Sequence, residues 1–158
     1  MEATVETLSA YEIERGKPLP DFIHAVVQAN LTVELRTRCG PGYRILSELD
    51  LATTPIGTTP DVAIYPWFEL DYDHRQARRT DAPLCCIEIQ SPSQSLEEMV
   101  TKTHIYFQFG VRSCWVVQPA IQGILVFDRP GHYAFFHGDG PLRDEALGVE
   151  LPLAAVFA

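Results

Sequence analysis

Leu84-Cys85-Cys86-Ile87-Glu88-Ile89-Gln90-Ser91 is an apolar run that turns polar at its far end, and the organisation of the rest of the chain follows from it. Its composition predicts a buried strand. Side chains alternate faces along a strand, so Ile87 and Ile89 point one way while Glu88 and Gln90 point the other. Burying an ionised carboxylate without a partner is costly, which means that Glu88 requires a cation, a metal ion or a polar cleft.

The surrounding chain is long enough to build a core around that strand. With 158 residues and 46% apolar composition, one domain spanning residues 1–158 is expected. No apolar stretch is long enough to span a bilayer, and Met1-Glu2-Ala3-Thr4-Val5-Glu6 lacks a basic-then-apolar leader pattern. The expectation is a soluble, cytoplasmic protein without membrane contact. Cys39, Cys85, Cys86 and Cys114 form no C-x-x-C pair and read as reduced, mostly buried thiols. A net charge of −9 and a pI near 4.9 argue against a protein whose main task is non-specific binding to a phosphate backbone. Positive charge is nevertheless clustered, with Arg75, Arg78 and Arg79 in one polar stretch and Arg36 and Arg38 in another. The first cluster is either a solvated loop or a phosphate-contacting surface.

Upstream of the central strand, Asp21 follows Pro20 as an N-cap, and a helix is expected to about Arg38 before Gly40-Pro41-Gly42. One of its sides carries Phe22, Val26, Ala29 and Val33, and another stripe carries His24, Gln28, Leu31 and Leu35. Tyr43 to Leu51 reads as a strand with Glu48 and Asp50 on one face, and Asp61 to Tyr65 as a short apolar strand opened by an acid. Residues 66–83 form a long polar connection of the kind that is functional or mobile. Downstream, Ser95-Leu96-Glu97-Glu98 has the pattern of a capping box opening a helix that Gly110 stops. Leu96, Met99, Val100, Thr103 and Phe107 make its expected inward stripe, with Lys102 at the border, able to reach toward the central strand. Ser113–Gln118, Gly123–Asp128 and His132–Phe136 are further strands, the last two a hairpin, and an apolar tail packs back on the fold.

If the strands holding Asp61 and Glu88 pair, their carboxylates converge. Gln90, and the backbone carbonyl of Ile89, add oxygen donors, and such a set suits Mg²⁺ or Mn²⁺, which favours carboxylates, waters and phosphate oxygens. An ion held there can polarise a phosphodiester and lower the pKa of a bound water. That is nuclease chemistry.

Pro60-Asp61-Val62, Ile87-Glu88-Ile89-Gln90-Ser91-Pro92-Ser93, Lys102 with Tyr106, Gly110-Val111, and Trp115-Val116-Val117 with Pro119 together resemble the Uma2 family of the PD-(D/E)XK, restriction-endonuclease-like superfamily. The resemblance implies an α/β (α+β) fold with a mixed central sheet flanked by helices. It also implies a divalent metal held by Asp61 and Glu88, and a DNA substrate. His24 matches a histidine that the family often has in its first helix, and Glu12 falls where the family tends to have Tyr-Glu. The chain departs from the pattern at Gln90, where the superfamily typically has a lysine that orients the attacking water. Glutamine can hydrogen-bond a water but supplies no positive charge. Lys102 is the candidate substitute. The segment before the first helix is also short for the family, which leaves the role of an N-terminal acid open.

Each of these residues has a plainer reading as well. Asp61 can cap a turn after proline, Glu88 can be a buried ion pair with Lys102, His24 can be a packing residue, and Tyr106 fits packing better than chemistry. Gln90 is open between orienting a water and being merely polar. His74, His104, His132 and His137 show no zinc-ligand spacing. Two functions of different class remain: a magnesium-dependent endonuclease, in which Arg75, Arg78 and Arg79 contact the DNA backbone, or an inactive nuclease-fold module for binding or assembly. Apolar strands toward the C-terminus also point to a homodimer.

Overall fold

The computed structural model describes residues 21–158. Its elements in chain order are α1 (Phe22–Arg38), β1 (Tyr43–Ser47), β2 (Val62–Pro66), β3 (Cys85–Ile89), α2 (Leu96–Phe109), β4 (Ser113–Gln118), β5 (Gly123–Arg129), β6 (His132–His137), β7 (Pro141–Asp144), β8 (Val149–Pro152) and α3 (Leu153–Val156). Both long helices start and stop where local chemistry dictates. The Asp21 carboxylate accepts the His24 N–H at 2.7 Å, and the Ser95 hydroxyl accepts the Glu98 N–H at 3.1 Å. Gly110 ends α2 at φ 124°, a conformation that a Cβ would strain.

Strands β1 to β6 form one sheet in sequential order. All neighbours are antiparallel except β3 and β4, which run parallel because α2 carries the chain from one to the other. This is the expected mixed sheet flanked by helices. A separate β7–β8 hairpin and the short α3 form the tail, tied to α1 by Asn30, which donates to the carbonyls of Val156 and Ala158.

The alternation read in the central strand sorts the core into two layers. Cys85, Ile87 and Ile89 join α1, the β7–β8 hairpin and α3 on one face, with Trp115, Val117 and Leu31. Cys86 lies on the other face with Met99, Tyr106, Cys114 and Val116, beneath α2. Cys85, Cys86 and Cys114 are buried, and all four thiols are free. Burial pushes the Cys85, Cys86 and Cys114 thiols well above the usual range, so they stay protonated. None of the described helices is long and apolar enough to cross a membrane.

Two local expectations are corrected, and the inward face of α1 is settled. The first strand stops at Ser47 rather than Leu51, because Glu48 turns into the left-handed region at φ 52°. Glu48 and Asp50 therefore share no strand face, and Leu51 instead bridges Thr58 and Arg79. The buried stripe of α2 is Met99, Thr103 and Tyr106, rotated from the predicted one, and Leu96 is exposed. In α1 the inward stripe is His24, Val27, Leu31 and Leu35, while Phe22 and Val33 face outward. The 66–83 connection is irregular but pinned. Arg78 pairs with Asp50 at 2.9 Å, and Arg79 pairs with Asp81 at 2.7 Å and lies over the rings of Tyr65 and Phe68.

Candidate active site at the ends of β2 and β3

Strands β2 and β3 pair as far as Val62 opposite Ile87, and Asp61 and Glu88 are the next residues on the two strands at that end. Both acids are buried, at 3% and 5% exposure. Asp61 precedes the strand, and its carboxylate folds across to β3: Oδ2 accepts the backbone N–H of Ile89 at 2.8 Å. The same oxygen lies 3.3 Å from Nε2 of His24, which α1 brings in from the other side. One turn further along α1, Gln28 donates to the Asp61 carbonyl at 3.1 Å and to the Ser47 hydroxyl. The start of β2, the end of β3 and the first helix are thus locked together through one aspartate. His24 is itself 95% buried, and its Nδ1 has no hydrogen-bond partner among the described residues.

Glu88 is held from α2. Its Oε1 accepts the Tyr106 hydroxyl in a short hydrogen bond, and its Oε2 lies 3.5 Å from Lys102 Nζ. Lys102 and Tyr106 are four residues apart, so they occupy one helical stripe, and both reach the same carboxylate. Tyr106 is almost wholly buried. Burial first, then the Glu88 charge, drives its phenol well above the ordinary value near 10, so it remains a donor. Lys102 keeps its ammonium part-exposed, placing a cation between the buried acid and solvent.

The predicted residues therefore fall into groups. At the adjoining ends of β2 and β3, Asp61 gathers His24 and the Ile89 N–H, and Glu88 gathers Lys102 and Tyr106. Gln90 lies just past β3 and is tied elsewhere: it donates to the Gln94 carbonyl at 3.0 Å and accepts from Gln118 at 3.1 Å. Gln118 is its register neighbour on β4, and Gln90 also lines a cavity of about 770 Å³ beside Phe22, Val26 and Val27 of α1. Arg75, Arg78 and Arg79 lie in the 66–83 connection, the last two already paired with Asp50 and Asp81. Glu12 lies outside the described residues. Among those residues, no cluster of three or more His, Cys, Asp or Glu is gathered as a metal cage.

Tyr106 packs in the core beneath α2, as its sequence context predicts, and its hydroxyl is also a direct partner of Glu88. The available signal was its spacing of four from Lys102. Gln28, one turn from His24, carries no sequence signal of its bonds to Asp61 and Ser47.

The family model for Uma2, described as "Putative restriction endonuclease", matches residues 5–154. The structure is similar to a crystal structure described as "a putative nuclease belonging to DUF820" from Anabaena variabilis ATCC 29413, with a TM-score of 0.74 and 23% sequence identity. That alignment covers 89% of this chain and 83% of the other, and at this identity it bears on the fold alone. No curated protein matches the chain. The family match runs through every element that positions Asp61, Glu88, Lys102 and Tyr106, and the chain belongs to the Uma2 family.

Proposed function

We propose that the protein is a divalent-metal-dependent nuclease that hydrolyses DNA phosphodiester bonds in the cytoplasm. The observation that carries this reading is the placement of two buried acids, Asp61 and Glu88, at the adjoining ends of β2 and β3, each held by an ionisable side chain from a different helix. Their oxygen donors fit a hard cation better than a soft one. Mg²⁺ or Mn²⁺ would be held by Asp61, Glu88 and the Ile89 carbonyl, and would supply Lewis-acid polarisation of the phosphate and an acidified water.

The protein's own groups have separate tasks in this reading. Tyr106 fixes the rotamer of Glu88 by donating to it. His24 and the Ile89 N–H fix Asp61. Lys102 supplies the positive charge that the superfamily places at the position of Gln90, and stabilises charge building on the phosphoryl oxygens. Gln90 orients water through whatever amide capacity Gln94 and Gln118 leave it. Arg75, Arg78 and Arg79 contact the DNA backbone, and Glu12 adds an acid from the N-terminal segment.

A second reading, an inactive nuclease-fold binding module, is favoured by one observation: Gln90 is committed to two other glutamines while Lys102 and Tyr106 already engage Glu88. Calorimetric titration with Mn²⁺ separates the two. The nuclease reading expects saturable binding to the wild type, weakened at least tenfold in Asp61→Asn and Glu88→Gln, with melting curves showing both variants folded. A wild-type protein that binds neither Mn²⁺ nor Mg²⁺ leaves only the binding module.

A further inference from the structure

Strand β6 is one outer edge of the six-stranded sheet among the described residues, and apart from an irregularity where it meets Phe127 and Arg129 at its start, its sequence lacks what normally blunts an edge. Its sequence, His132-Tyr133-Ala134-Phe135-Phe136-His137, contains no lysine, carboxylate or proline, and it is six residues long. Its odd-numbered side chains form an aromatic stripe. Phe135 stacks on His137 with ring centroids 5.2 Å apart, and Tyr133 packs against Phe127 of β5 at the same separation. Phe135 lies so close over Gly123 that a Cβ there would come within 2.5 Å of its ring. The stripe is therefore ordered by β5, yet Tyr133 and Phe135 remain 56% and 42% exposed. The residues they oppose on β5, Phe127 and Leu125, belong to the layer beneath α2, so the stripe continues that layer past the helix.

We propose that β6 pairs with β6 of a second copy of this chain, joining the two sheets into one of twelve strands across a two-fold axis. The main-chain groups on the outer side of β6 call for another strand, and the self-complementarity of β6 identifies it. Directly opposed residues of an antiparallel pair share a face, so odd positions must meet odd positions. With Ala134 on the axis, Tyr133 meets Phe135 of the partner subunit and Phe135 meets the partner subunit's Tyr133. Each is an aromatic cross-strand pair of the favourable kind. The arrangement is isologous and closes at two copies. No carboxylate of β6 enters the contact, so the acidic net charge does not oppose it at close range.

Sedimentation of the full chain is the test, with mass as readout. The wild type is expected at twice 17.7 kDa, and Tyr133→Lys at the single-chain mass with unchanged far-ultraviolet circular dichroism. Ala134→Cys places two thiols across the axis. Opposed Cα atoms in an antiparallel pair lie about 4.5–5.5 Å apart, within disulfide reach. Mild oxidation of that variant should give a covalent dimer that the wild type, with three of its four thiols buried, does not give. A wild-type protein that stays monomeric at high micromolar concentration overturns the proposal. So does a dimer that survives Tyr133→Lys while Ala134→Cys fails to crosslink, since that dimer would use another surface.

Discussion

The acid pair Asp61–Glu88 and the single acid Asp144 are all buried, but they are buried in different company. Asp144, at the end of β7, accepts the Trp115 indole N–H at 2.7 Å and the Leu147 backbone N–H at 3.3 Å. Both donors are neutral and fixed, and the bond ties the tail hairpin to the centre of the sheet. Asp61 and Glu88 sit instead at strand ends, Asp61 against His24 of α1 and Glu88 against Lys102 and Tyr106 of α2. Burial alone therefore does not mark a functional carboxylate. In the proposed reading, what sets Asp61 and Glu88 apart is a basic side chain beside each acid and, through part-exposed Lys102, a link from Glu88 to solvent.

The contrast is broken most sharply by substituting one acid of each kind. Asp61→Asn should lower DNA cleavage by on the order of 10²-fold or more, a loss comparable to removing a charge-stabilising group from an active site, while the protein still folds because the asparagine oxygen can keep the Ile89 N–H bond. Asp144→Ala should do the reverse. It strands the buried Trp115 N–H, which costs about 1–3 kcal/mol and lowers the melting temperature by several degrees, while cleavage per folded molecule is retained. Equal loss of activity in both would show that the two acids are not functionally distinct.

Lys102→Met removes the cation that lies 3.5 Å from Glu88 Oε2. Its cleavage rate should fall about 10²-fold, with Lys102→Arg recovering part of the loss. Tyr106→Phe keeps the packing but deletes the donor to Glu88. A hydrogen bond to a charged group contributes about 1.5–3 kcal/mol, so the melting temperature should drop and Mn²⁺ affinity should change with it. A variant with wild-type stability and metal affinity would return Tyr106 to packing.

The smallest effect is an alkaline one. Tyr106 is raised well above its ordinary value, and burial pushes the Tyr65 phenol up to about 12. Both folded values exceed the unfolded one near 10, so the stability these phenols contribute is complete below about pH 10 and is lost as the pH rises through the folded values. Tyrosinate absorbance should show two late-titrating phenols in the folded protein that the urea-unfolded chain lacks, and Tyr106→Phe should remove one.

The sequence made the scaffold of this contrast legible, along with half of its chemistry. Asp21, Ser95 and Gly110 placed the helix ends because capping is local, and the alternation around Ile87 and Ile89 set the faces of the central strand. Asp61 and Glu88 were identifiable as an acid pair on adjacent strands. The residues that hold them were harder to see, because which stripe of a helix faces inward depends on how the helix docks. In α2, Leu96, Val100 and Phe107 are as apolar as Met99 and Tyr106, and only the packing on β3 and β4 chooses between them. Gln90 shared the expected face, but its bonds to Gln94 and Gln118 depend on a turn and a parallel strand that no local pattern encodes. Asp144 gave no signal, since its partner Trp115 lies 29 residues away.

The most direct test follows a supercoiled plasmid incubated with the wild type and with Glu88→Gln across a series of Mn²⁺ concentrations. Nicked or linear DNA should accumulate with the wild type in proportion to bound Mn²⁺, be absent without the ion, and be almost wholly lost in Glu88→Gln. Cleavage that persists undiminished in the folded Glu88→Gln protein, or plasmid left intact by the wild type at saturating Mn²⁺ and Mg²⁺, would contradict the assignment of Asp61 and Glu88 as a nuclease centre.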